Sequence, residues 1–279
     1  MSTWVSILQT ALPFLYAALV YIFGQIFFRP GVAEARVRRV MPFAVATVIV
    51  HATYICLFTL HNGRCLLGSF PEISSLIAFT LFSIYTVIEV RRTEQASGTG
   101  FFVSLIAGLF QIFSSIVVTG EAGLAGMEIL KDPVFNLHVT AAIFGYAAWT
   151  LATIYGGLYL LLYKAMKSNK YGAIFEHLPS LERLEKYGLR ATGVGFGFLT
   201  LAIWFGWRLM SVDPELTFSS FLFHPKILAT LLAWLVFGVT LMARRVIRLE
   251  GRKLVMLWMS GFVLTIISMG FINAFGMRV

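Results

Sequence analysis

The chain is 279 residues long, 58% hydrophobic and 15% aromatic, with only 13% charged residues. Its mean hydropathy of +0.83 is far above that of a water-soluble domain, so a soluble globular protein is excluded and an integral membrane protein is indicated. The net charge of +9 carries no aromatic-rich basic motif of the kind that reads RNA or DNA, so nucleic acid is not an expected partner; contact with anionic lipid of the bilayer is.

A spanning helix needs about 20 mostly apolar residues. Eight stretches qualify, at roughly 6–28, 40–60, 70–90, 101–119, 134–163, 191–210, 225–243 and 254–275. The sequence therefore predicts an all-α polytopic protein forming one transmembrane domain over 1–279, with little left for a soluble module. The first stretch has no cation before it and is too long for the core of a cleavable signal, which predicts a retained helix. Cations in short loops set orientation. All but Arg64, Lys131, Arg208, Lys226 and Arg278 of the 22 lysines and arginines fall on alternate loops, which places both termini outside. Cys56 and Cys65 form no CxxC or haem-attachment pattern and read as packing thiols.

Among the loops, the segment at about 178–190, within LPSLERLEKYGLR, puts Leu181, Leu184 and Leu189 on one side and charges elsewhere. It predicts a short amphipathic helix on the cytoplasmic surface, opened by Pro179 and Ser180. The outer loop at 120–133 is either a lid or a plain connector. Gly193, Gly195 and Gly197 in GVGFGF have no preceding strand, so close helix packing is the reading rather than a phosphate loop. Internal repeats with matched broken helices are not seen, and no GxSxG, HExxH or carboxylate pair supports hydrolysis.

Ionisable side chains inside hydrocarbon are functional candidates by default. His51 lies near the middle of the second span, roughly 14 Å below its outer end at 1.5 Å per residue. It is either a functional group or an imidazole hydrogen-bonded to a neighbouring helix. His138 lies about one turn inside the outer end of the fifth span, and His224 opens the seventh from the same side. Two facing imidazoles against an apolar wall suit haem iron better than zinc, which wants further ligands that this region lacks. Arg208 and Lys226 are placed to meet haem propionates, or to act as interfacial anchors. The small residues Ala142 and Gly145 after His138 admit either a close helix or a flat macrocycle. His61 and His177 sit at loop edges and read as solvated.

The blocks LHVTAAIFGYAAWTLATIYGGLYLLLY (137–163), LPSLERLEKYGLRATGVGFGFLTLAIWFG (178–206) and HPKILATLLAWLVFGVTLMARR (224–245) resemble, in this order, the cytochrome c assembly family and within it the HemX type. The resemblance is good over roughly 130–279 and weaker around the VHA of His51. It implies haem handling in a bacterial cytoplasmic membrane, with b-type haem bound rather than a reaction catalysed. Partners implied are haem itself and either cytochrome c maturation proteins or an enzyme of tetrapyrrole synthesis. The LHV histidine of haem-delivering relatives is an axial ligand on the outer side, which assigns that role to His138. Their tryptophan-rich segment is absent here and their WDPK is replaced by FHPK, with Phe223 and His224. Their second outer histidine corresponds to Asn273 in FINAFG, and a histidine near the cytoplasmic end of the seventh span to Met242. The resemblance leaves His224 as the second axial ligand opposite His138, or a haem held by one histidine, and it gives His51 a deeper or transient haem. Rival readings are a non-haem accessory protein recruiting a partner at its cytoplasmic face, and a small-solute carrier using His51 as a proton-coupled group.

Overall fold

The computed structural model describes residues 3–28, 33–90, 98–116, 128–168, 172, 175, 178–210 and 225–274, and among them contains no strand. The long helices are α1 (Thr3–Phe28), α2 (Ala33–Asn62), α3 (Phe70–Val90), α4 (Thr99–Ile116), α5 (Pro133–Lys167), α6 (Leu181–Met210), α7 (Pro225–Val246) and α8 (Arg252–Ala274). Among the described residues, seven helices are long and apolar enough to cross a membrane, from α1 through α7. Helix α8 stands where an eighth span is predicted but is not one of those seven. The molecule is a multi-span membrane protein, and its exposed faces agree: Phe14, Tyr21, Ile49, Leu109, Leu232 and Ile267 point outward.

Observed helices outrun the apolar stretches because hydrogen bonding does not stop where lipid does. Helix α2 begins at Ala33 instead of 40. The segment around 178–190 is not a separate surface helix: it forms the opening turns of α6, starting directly after Pro179 and Ser180 and running unbroken to Met210. Of its leucines, Leu184 is fully buried and Leu181 and Leu189 are partly buried, and Glu185 is buried too.

The chain packs as two compact units, Met1–Val139 with Leu161–Ser180, and Thr140–Leu160 with Leu181–Val279. In the first unit, α1 and α3 each lie against both α2 and α4. The turn from α2 to α3 is fixed by Glu72, whose carboxylate accepts two bonds from Arg64, at 2.7 and 2.9 Å, and one from the Gly68 N–H at 2.8 Å. Arg64 also lies over the Phe58 ring. Its hydrogen bond to Glu72 raises the Arg64 pKa, and burial pushes the neighbouring Cys65 thiol up. Hydroxyls within the helices take a simpler course, donating to the carbonyl one turn back, as Thr47, Thr86 and Thr240 do.

The second unit is held by close backbone approach. At Gly145 a side chain would meet the Gly195 carbonyl at 3.3 Å, and at Gly195 it would overlap the Trp149 indole. That indole stacks on Phe237 of α7 with centroids 3.6 Å apart. Trp258 of α8 is slotted between two further glycines, with a Cβ at Gly156 or at Gly188 falling 2.8 Å from its ring. The space beside Gly145 is thus occupied by a neighbouring helix.

Candidate functional site

Three places bear on function, and His51 organises the first. Its side chain is completely buried in the first unit. Nδ1 lies 3.1 Å from the Tyr16 hydroxyl of α1 and Nε2 lies 3.0 Å from Ser75 Oγ of α3. Ser75 spends its single hydrogen on Gln111 Oε1 of α4 at 2.9 Å, so Nε2 of His51 must be the donor to Ser75. A neutral imidazole then accepts at Nδ1, and the Tyr16 hydroxyl donates there at 3.1 Å in preference to the Ala78 carbonyl at 3.4 Å. Gln111 passes on a bond to Ser115 at 3.4 Å, and Ser115 returns one to the Gln111 carbonyl at 3.0 Å. One side chain from each of α1 to α4 therefore joins a directional chain, walled by Phe79 and Phe82. Iron at Nδ1 would have to displace Tyr16.

The second place is the start of α5. Asp132 caps it, its Oδ1 accepting from the N–H groups of Val134 and Phe135 at 2.7 and 3.2 Å. The Asn136 amide donates to the carbonyl of the buried Leu130 at 2.9 Å, tying the helix to the 3-10 turn Glu128–Lys131. His138 follows on this anchored turn, about 7.5 Å along the axis from Pro133, and is half-buried. Arg208 is exposed in the last turn of α6. His224 and His177 lie outside the described residues, as does the side chain of Lys226. His138 belongs to the first unit and Arg208 to the second, so their convergence with His224 stays an expectation. His61 is exposed in the last turn of α2. Among the described residues no three His, Cys, Asp or Glu side chains gather around a metal-sized point; an iron porphyrin asks the protein for only one or two axial ligands.

The third place lies wholly within the second unit and was not legible as a site. Helices α6 and α7 run antiparallel and leave an open, mostly apolar groove of about 880 Å³. One end is closed by Trp234 stacked on Phe196 at 5.0 Å, with the indole N–H donating to Thr200 Oγ1 at 2.9 Å. The other end carries Lys186, Arg190, Arg244 and Arg245. Arg244 pairs with Glu185, at 3.6 Å, and with Glu250. The buried Glu185 also accepts the Gly251 N–H at 2.7 Å, fastening the α7–α8 turn to α6. Met242 lines the same groove.

The model of the family described as Cytochrome C assembly protein matches residues 41–277. The chain belongs to that family. Two of its relatives are HemX proteins and a third is a CcsA protein. Protein HemX of Brevibacillus brevis is 30% identical over 149 residues, 53% of each chain. Protein HemX of Bacillus subtilis (strain 168) is 22% identical over 222 residues, 78% of each. Cytochrome c biogenesis protein CcsA of Chlamydomonas reinhardtii is 31% identical over 164 residues, 57% of this chain and 43% of that protein. The chain spans about half the length of the Brevibacillus relative and less of the algal one. The family's stretch takes in His51, His138, His224 and both helices of the groove.

Proposed function

We propose that this cytochrome c assembly family member is a haem-handling protein of the bacterial cytoplasmic membrane, with eight spans and both termini outside. It binds b-type haem near the outer face and serves cytochrome c biogenesis or tetrapyrrole supply, through maturation proteins or a tetrapyrrole-synthesis enzyme. The distribution of cations on alternate loops supports the orientation. The observation that carries the haem reading is the half-buried His138 on the capped first turns of α5, inside the family's stretch.

The residues fit the group at this end better than in the middle of the bundle. His138 is only half-buried, whereas His51 is completely buried with both ring nitrogens engaged by protein hydroxyls. In this reading His138 and His224 would hold the haem through their imidazoles, and Arg208 and Lys226 would pair with its propionates by charge-assisted bonds. His51 becomes a deeper ligand only if Tyr16 lets go of it. Bound haem supplies a redox-active iron whose axial positions accept neutral imidazole. Asp132 and Asn136 hold the first turn of α5 in place, which orients His138.

Purified protein supplemented with haem should develop a Soret band that His138→Ala and His224→Ala each diminish and the double variant abolishes. No Soret absorption in the parent protein would defeat the haem reading; a spectrum indifferent to both variants would defeat the ligand assignment. The departures at Asn273 and Met242 favour a second reading, an accessory protein without haem that recruits a partner. Changes within 178–190 would then abolish function while His138→Ala would not.

A further inference from the structure

We infer that the groove between α6 and α7 binds one anionic phospholipid, its phosphate held by Lys186, Arg190 and Arg245 and an acyl chain lying along the groove toward Trp234. This goes beyond haem handling and stands on the second unit alone. Both walls belong to helices of membrane-spanning length and composition, and the groove is open along its side, so hydrocarbon is the solvent it faces. From Arg245 to Trp234 on α7, and from Lys186 to Phe196 on α6, the groove runs roughly 15 Å at 1.5 Å per residue. That is half of the roughly 30 Å hydrocarbon core: one leaflet deep, with its cations at the headgroup level.

The charges are arranged for an anion. Glu185 and Glu250 are both committed to Arg244, and among the described residues Lys186, Arg190 and Arg245 have no acidic partner. Three uncompensated cations around one mouth attract a phosphodiester and leave a zwitterionic headgroup with its own cation repelled. Along the floor the polar atoms are already spent, Trp234 on Thr200, so an alkyl chain loses nothing there. Position 193 opens onto this floor: a Cβ there would meet only Leu241, at 4.0 Å, so the volume beside it is unfilled by protein. Among the groove's lining residues there is no histidine or cysteine, so an iron porphyrin would find only the thioether of Met242.

The test uses the full chain in nanodiscs containing equal amounts of phosphatidylglycerol and phosphatidylcholine with identical acyl chains, read by native mass spectrometry after release. Phosphatidylglycerol should be retained preferentially at one molecule per chain. Replacing Lys186, Arg190 and Arg245 together by Gln should lower that retention at least tenfold and erase the preference. Gly193→Leu, which fills the floor without touching a charge, should lower retention of both lipids. Arg248→Gln with Lys253→Gln, cations of the same turn outside the groove, should change nothing. Equal retention of the two lipids, or an equal loss in the Arg248 and Lys253 variant, would overturn the proposal. So would haem displacing no phosphatidylglycerol yet losing its Soret band in the Arg190 and Arg245 variants, since the groove would then be a porphyrin site. Thermal unfolding of each variant in lipid-free detergent shows whether a loss of retention is merely a loss of fold, and Gly193→Leu gives an independent reading where the triple variant is unstable.

Discussion

The first unit ties its helices together with a hydrogen-bonded chain, Tyr16 to His51 to Ser75 to Gln111, whereas the second presses backbone against backbone at Gly145 and Gly195 and slots Trp258 between Gly156 and Gly188. Lipid tails are as apolar as leucine, so neither unit gains much by hiding hydrocarbon from its surroundings. One uses polar groups that have no better partner in the bilayer, and the other uses shape. Every member of the polar chain is satisfied, while the indole N–H groups of Trp149 and Trp258 are buried without a hydrogen-bond partner among the described residues.

That contrast is open to attack by substitution. The largest effect is expected from Gly195→Leu, whose side chain must occupy the Trp149 indole; unfolding in mixed micelles should show a loss of more than about 4 kcal/mol, partly restored by Trp149→Ala. His51→Ala should cost roughly 2–4 kcal/mol, combining a cavity with two abandoned hydroxyls. A cost under about 1 kcal/mol would mean that the polar chain contributes little and that the first unit is held by its aromatics. Ser75→Ala should follow at roughly 1–2 kcal/mol, and a double-mutant cycle with Gln111→Leu should be markedly non-additive. Glu72→Gln, breaking the fork on Arg64 at the unit's edge, should cost about 1 kcal/mol. The smallest effect is kinetic. With its thiol pKa raised by burial, Cys65 in a Cys56→Ser background should alkylate more slowly near neutral pH than a free thiol. The rate should climb as pH passes above the ordinary thiol value of about 8.5.

Much of the architecture was readable because hydropathy reports directly on the spans: α1 to α7 all fall on predicted stretches. Their ends were not, since Ala33–Arg39 and Leu181–Arg190 are too polar for lipid yet good helix formers, and helix continues while backbone bonds remain to be made. His51 was visible as a polar residue in hydrocarbon, with a hydrogen-bonded helix partner among its readings. Tyr16, Ser75 and Gln111 were missed because each is unremarkable alone. The signal available was one uncharged polar side chain inside the apolar run of each of the first four helices. The groove was invisible for a different reason. Lys186, Arg190, Arg244 and Arg245 read as ordinary cytoplasmic cations, and only the antiparallel pairing of α6 with α7 brings them to one mouth. Glu185 was assigned to the polar face of a surface helix and instead lies buried, accepting the Gly251 N–H.

Trp258 and its two glycines behave as a key and a keyway cut from three separate helices. A larger residue at 156 or 188 blocks the keyway and a smaller one at 258 leaves it rattling, so none of the three positions can drift alone. A small step that keeps α8 seated has to be paired, such as Gly188→Ala with Trp258→Phe, so three distant stretches of the chain are bound to change together.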